Sequence, residues 1–195
     1  EYIREKYPNY KITSSTCKRI TDIEKLKAEM TKDYHIVVLD YDLNNKFELL
    51  EKVPNKEKCE ILVNACCDPD CQRRLEHYRV LGELQILFDE HLKKYPKKPF
   101  REDDYKDAPS MNCNCADRSI FDIQELSTHI SPDDIWDKYV PMGFEQFKIE
   151  GRTALRLNLI ETYMYYMVKP EHRNRARFML LYNLENYGVI KLNNS

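Results

Sequence analysis

The feature that most constrains the fold is a repeated alternation of short apolar strand patterns with helix patterns. Runs rich in β-branched or apolar residues occur near residues 10–14, 35–39 and 61–64, and a segment with helical character follows each of them. Since a helical crossover returns the chain to the sheet in the same direction, such units predict a parallel sheet with right-handed connections. A further strand near 145–149 completes the pattern. We expect these four strands to be parallel neighbours with helices on the outside.

Helix start signals divide the rest of the chain. Asp22 is a candidate N-cap for a helix through Met30, and Asn44 or Asn45 is a candidate for a shorter one. Ser131 followed by Pro132 and two acids is a further helix start, because serine caps and proline fits the first helical position.

The architecture that these signals favour is α/β, either a partial (β/α) TIM-type barrel or a small open sheet. About five strands are expected, including a short one at 128–131, and two Tyr- and Met-rich helices, 154–168 and 171–187, end the chain. We expect 1–195 to be a single domain, the C-terminal portion of a barrel that lacks its N-terminal strands. The polar stretch 95–116 is expected to be a long loop insertion.

Composition excludes several classes of protein. The net charge of −2 gives no broad basic field for nucleic acid, and neither GxGxxG nor GxxxxGK[ST] occurs. No apolar run approaches the roughly 18 residues of a membrane span, and no secretory signal is present. Seven cysteines, an odd number that includes the adjacent pair Cys66 and Cys67, make a secreted disulfide framework unfavourable. A reducing, cytoplasmic location is therefore expected.

Four cysteines are candidate metal ligands. Cys67 and Cys71 lie in the acidic, proline-containing loop after the strand at 61–64, and Cys113 and Cys115 end the polar insertion. Together they offer four thiolates, enough for a tetrahedral Zn²⁺ or a [4Fe–4S] cluster. The alternative is that they are buried structural thiols, which behave as small hydrophobic side chains.

Two further groups are candidate site residues. Lys148, Glu150 and Arg152 lie at the end of the last strand, where charged residues line the active site in (β/α) barrels. The alternative is an ion pair that only closes the barrel end. His77, on the helix that follows the cysteine loop, is either a ligand or proton carrier, or a hydrogen-bonded surface histidine.

A resemblance to a known family rests on two segments. The ending Phe147-Lys-Ile-Glu-Gly-Arg152 follows Ser131-Pro-Asp-Asp and a helix that stops at Gly143, and it is similar to the KIEGR ending of the peptidase U32 family. The strand Ile61-Leu-Val-Asn64, with Cys67, Cys71 and His77 after it, resembles the cysteine loop of U32-like barrels. The matches cover roughly 60–82 and 129–155, and the acidic loop 101–110 between them departs from the family.

The resemblance implies a TIM-type barrel whose cysteines hold a [4Fe–4S] cluster. It implies an enzyme of the oxygen-independent hydroxylation type rather than a true protease, acting on an RNA base, a quinone precursor or a peptide. Lys148, Glu150 and Arg152 would then be catalytic, and Asn64, Arg74 and His77 would bind substrate. The competing hypothesis is a non-catalytic α/β module that zinc or thiols stabilise.

Overall fold

A computed structural model describes residues 2–111, 113–151 and 155–191, apart from the side chain of Ala116. It divides into two compact units. The first contains the chain up to Pro69 and again from Cys115 onward, and the second contains Asp70–Asn114. Each unit is described separately below.

The first unit is built on one parallel sheet of four strands. They are β1 (Thr13–Ser14), β2 (Ile36–Val38), β3 (Cys59–Leu62) and β4 (Gln146–Lys148), and they pair in the order β1-β2-β3-β4. Every neighbouring pair is parallel. The predicted α/β class and the four predicted parallel neighbours are therefore confirmed.

The helices of the first unit follow the predicted pattern closely. They are α1 (Tyr2–Lys6), α2 (Ile23–Met30), α3 (Phe47–Leu50), α5 (Ile120–Ile123), α6 (Pro132–Asp134), α7 (Arg156–Met167) and α8 (Arg173–Asn186). A π-helical turn, Ile135–Tyr139, continues α6. The caps predicted at Asp22 and Ser131 are confirmed, since the Asp22 carboxylate accepts from the Lys25 N–H at 2.9 Å and the Ser131 hydroxyl accepts from the Asp134 N–H at 3.0 Å.

Two local predictions are wrong. Helix α3 begins after Lys46 with no side-chain cap, because the Asn44 side chain instead donates to the carbonyls of Leu62 and Thr128 at 2.8 and 2.7 Å. Residues 128–131 form no strand, although the Ile130 N–H donates to the Val63 carbonyl at 3.0 Å. The described residues thus contain four strands and not the expected five. The Asn44 side chain does not cap α3, because its hydrogen bonds go to carbonyl groups that are distant in the chain.

The main core lies on one face of the sheet. Its strand residues are Val37, Cys59 and Ile61, and they alternate along the strands as the two-residue period requires. Buried side chains of the helices and of the segments beside them pack on the same face: Leu26, Leu50, Val53, Ile130, Tyr139 and Phe144. The Tyr166 hydroxyl of α7 donates to the Val63 and Ile130 carbonyls at this face.

The opposite face of the sheet carries a mixed set of side chains. Val38 and Leu62 are buried there, and Leu62 packs with Tyr41 and Ala65 in a second, smaller cluster. Glu60 and Lys148 alternate with the core residues and so lie on this second face.

The second unit contains one long helix and an irregular segment. Helix α4 spans Arg74–Lys94, as predicted, and apart from a short 3₁₀ turn, Glu102–Asp104, the residues that follow it up to Asn114 have no regular structure in the part that is described. His91 of α4 is buried, and its Nε2–H donates to the Lys98 carbonyl at 2.8 Å while Nδ1 accepts from the Tyr105 hydroxyl at 2.6 Å. These bonds hold the segment against the helix.

Among the helices within the described ranges, none combines the length and the apolar character that a membrane crossing requires.

Candidate functional site

Polar side chains gather at the carboxyl ends of β2, β3 and β4, where parallel α/β sheets carry their sites. Asp40 and Asp42 follow β2 and Asn64 follows β3, and all three side chains are buried. Glu150 follows β4. Buried polar groups are costly unless they are hydrogen-bonded, so the partners of these side chains determine what the site can do.

The Asn64 carboxamide joins the chain beyond β3 to the chain beyond β4. Its Nδ2 donates to the Glu150 carbonyl at 2.9 Å, and its Oδ1 accepts from the Glu150 N–H at 2.8 Å. The Val63 N–H also donates to the Lys148 carbonyl at 3.0 Å. Asparagine is suited to this position because its side chain both donates and accepts, as a backbone amide does.

The Glu150 carboxylate organises the cysteine loop. Its Oε1 accepts from the Cys66 N–H at 2.7 Å. A hydrogen bond with Cys67, burial and the negative charge of Glu150 together raise the pKa of the Cys66 thiol far above its usual range. These contacts favour the neutral form of the Cys66 thiol, and Cys67 packs against the small cluster on the second face of the sheet.

Arg118 holds two segments of the site together. Its Nη1 donates to the Cys66 carbonyl at 2.7 Å, and its Nη2 donates to the Asp68 carboxylate at 2.6 Å. The other Asp68 oxygen lies 3.8 Å from the Cys115 sulfur, which donates to it. A thiol, a carboxylate and a guanidinium thus lie in a row beside the cysteine loop. Arg118 therefore balances part of the negative charge that Asp68 carries beside this thiol.

The predicted thiol ligands are divided between the two units. Cys67 and Cys115 belong to the first unit, and Cys71 and Cys113 belong to the second. None of these four cysteines forms a disulfide, and Cys115 is buried while the others are half-buried. Among the residues whose placement is described, no group of three or more His, Cys, Asp or Glu side chains is arranged to hold a metal ion. The metal centre therefore stays a prediction from the sequence.

The other predicted site residues have varied surroundings. Lys148 is half exposed, and its ammonium lies 3.2 Å from the Glu60 carboxylate on β3. Arg152 lies outside the described residues. Arg74 and His77 belong to the first turn of α4 in the second unit, Arg74 buried and His77 half-buried. Within the first unit, the structure brings Asn64 and Glu150 together with the Cys66–Asp68 loop.

Several site residues were missed by the sequence analysis. Asp40, Asp42 and Asn44 lie directly after β2, and Asp40 accepts from the Asp42 N–H at 3.0 Å. Alternating polar residues immediately after a strong strand pattern are a signal that could have identified them. Arg118 had no comparable signal, because its role depends on contacts about 50 residues away in the chain.

We expect replacement of Glu150 by Ala to expose the amide of Cys66 to solvent exchange. A hydrogen bond to a charged acceptor is worth about 1.5–3 kcal/mol, so the exchange rate of this amide should rise about tenfold or more. Glu150→Gln retains an acceptor oxygen and is the matched control, with a smaller increase. Hydrogen–deuterium exchange measures the result, and equal rates in the wild type and Glu150→Ala would show that the carboxylate does not hold the loop.

Comparisons with known proteins give this chain no relatives. No protein-family model matches the sequence, and neither a curated protein nor a solved structure matches it.

Proposed function

We propose that the chain is part of a U32-like (β/α) barrel enzyme that uses an iron–sulfur cluster for modification of the oxygen-independent hydroxylation type. Its substrate would be an RNA base, a quinone precursor or a peptide. The observation that carries the proposal is the clustering of the Cys66–Asp68 loop, Glu150 and Arg118 at the carboxyl ends of parallel strands. Thiols lie within this cluster.

The topology supports a barrel more than a doubly wound sheet. Doubly wound sheets reverse their strand order and cover both faces with helices, whereas a barrel adds strands in chain order and keeps its helices outside. Here the order is β1-β2-β3-β4, and residues of α2, α3, α7 and the π-helical turn all pack on one face. The second face, with Glu60 and Lys148, would line the interior.

The donor set of the chain is compatible with a cluster. Thiolates are the usual ligands of iron–sulfur clusters, and none of the candidate ligands Cys67, Cys71, Cys113 and Cys115 forms a disulfide. When bound, a cluster supplies one-electron chemistry. The residues of the first unit have other tasks in this proposal: Glu150 fixes the cysteine loop, Arg118 offsets thiolate charge, and Lys148 and Arg152 present cations to an anionic group of the substrate.

Anaerobic purification followed by metal and sulfide analysis tests the proposal. We expect a brown protein that contains iron and acid-labile sulfide and shows an electron paramagnetic resonance signal on reduction. Serine replacement of Cys67 or Cys115 should remove the colour and most of the iron. Cys17→Ser is the matched control, because Cys17 is exposed and lies outside the ligand set.

The competing function gives a different result. A non-catalytic zinc-stabilised module would purify colourless with stoichiometric zinc. In Cys67→Ser the loss of zinc would lower the thermal stability of the protein without any change in its visible spectrum. Protein that binds neither metal after reconstitution would reject both functions.

A further inference from the structure

The end of the sheet opposite the cysteine loop contains a polar cavity. It lies at the amino ends of β1, β2 and β3 and has a volume of about 360 Å³. That volume falls within the range of small-ligand sites, roughly 300–1,000 Å³. None of its lining residues has a role in the site described above.

Cations predominate in the lining of this cavity. Arg4, Lys11 and Lys58 line it together with His35, and among the described lining residues the one carboxylate is that of Asp33. Arg4 forms an ion pair with Asp33 and donates to its backbone carbonyl as well. Lys11 and Lys58 therefore leave the lining with an excess of positive charge, which favours an anionic ligand.

An aromatic platform adjoins these cations. Tyr10 lines the cavity and is 67% exposed, and its ring stacks on Tyr7 with ring centroids 5.0 Å apart and an interplanar angle of 21°. The Tyr10 ring is thus stacked on one neighbour and still mostly exposed. An exposed aromatic ring beside lysines is a combination that proteins use to bind unpaired nucleotides, the base stacking on the ring and the phosphate contacting the cations.

We propose that this cavity binds a nucleotide, with the base on Tyr10 and the phosphate near Lys11 and Lys58. The nucleotide would be either free or one unit of a single-stranded nucleic acid. The inference does not depend on the proposed function, because the two sites lie at opposite ends of the strands and share no residue.

Binding to two probes distinguishes the two sources. Adenosine 5′-monophosphate is titrated by calorimetry, and a fluorescent single-stranded oligoadenylate of about ten nucleotides, within the site sizes of such proteins, is titrated by anisotropy. A free-nucleotide site binds both probes with similar affinity per site, whereas a strand-binding site binds the oligonucleotide much more tightly. Failure of both probes to bind at millimolar concentration would overturn the proposal.

Variants test the assigned contacts. Tyr10→Ala should weaken binding about tenfold or more, since stacking of a base on an aromatic side chain is worth that much, and Tyr10→Phe should retain the affinity. Tyr187→Ala is the control, because Tyr187 is 82% exposed and lies outside the cavity. If Tyr10→Ala binds as Tyr187→Ala does, the site is not the one proposed.

The two lysines are tested by the salt dependence of oligonucleotide binding. For a single strand, the slope of log affinity against log salt falls by about 0.7 for each phosphate contact removed. The double variant Lys11→Ala with Lys58→Ala should therefore lose about 1.4 from the slope for the oligonucleotide. An unchanged slope would exclude these lysines as the phosphate contacts and overturn the assignment.

Discussion

Asn64→Ala should lower the free energy of unfolding of the first unit by about 2–4 kcal/mol. The side chain is 2% exposed and makes two hydrogen bonds to the backbone of Glu150. Its removal leaves one N–H and one carbonyl with no partner in a half-buried position, at about 1–3 kcal/mol for each unsatisfied group. Urea unfolding at neutral pH measures the loss.

The control for Asn64→Ala is Asn183→Ala. Asn183 is exposed on α8, so its replacement should change stability by no more than about 0.5 kcal/mol. Asn64→Asp is informative as well, because a carboxylate can accept from the Glu150 N–H but repels the Glu150 carbonyl. If Asn64→Ala is as stable as Asn183→Ala, the carboxamide does not join the ends of β3 and β4.

Glu29→Gln should cost about 2 kcal/mol at neutral pH, and the cost should disappear in acid. The Glu29 carboxylate of α2 is buried and contacts the Ser14 hydroxyl and the ammonium groups of Lys18 and Lys32. Burial by itself raises the pKa of this carboxyl, but the hydrogen bonds from Lys18, Lys32 and Ser14 outweigh it and lower the pKa to about 2. Both lysines are partly exposed, so solvent screening reduces the full value of the shift.

The sign of the pH dependence follows from this lowered pKa. In the unfolded chain the carboxyl titrates near 4.5, so the unfolded state takes up the proton first as pH falls. The stabilisation by the ionised carboxylate is complete above about pH 4.5 to 5 and is lost as pH falls towards 2. The stability difference between the wild type and Glu29→Gln should therefore narrow steadily across this interval.

Urea unfolding of the wild type and Glu29→Gln at several pH values between about 7 and 3 measures this narrowing. Glu24→Gln is the matched control on the same helix, because Glu24 is exposed and pairs only with Lys27 at the surface. It should change stability by no more than about 0.5 kcal/mol. A difference for Glu29→Gln that stays constant with pH would mean that the buried side chain acts through packing and not through its charge.

Periodicity and capping residues, which are local features of the sequence, predicted most of the strands and helices. The alternation of strand and helix patterns predicted four parallel neighbouring strands, and the caps at Asp22 and Ser131 predicted two helix starts. These patterns involve residues within a few positions of each other, so they can be recognised without knowledge of the tertiary structure. The cap expected at Asn44 or Asn45 does not form, because both side chains donate to distant carbonyls instead.

What only the tertiary structure decided is the set of contacts between the loops. Asn64 and Cys66 meet Glu150 across more than 80 residues of chain, and Arg118 meets Cys66 across 52. His91, which the sequence left without a role, is held by Tyr105 and the Lys98 carbonyl within the second unit. The sequence determined which residues follow each strand, because periodicity and capping are local. Which of those residues come into contact depends on how the strands pair and how the loops pack. A local sequence pattern does not specify contacts between residues that are far apart in the chain.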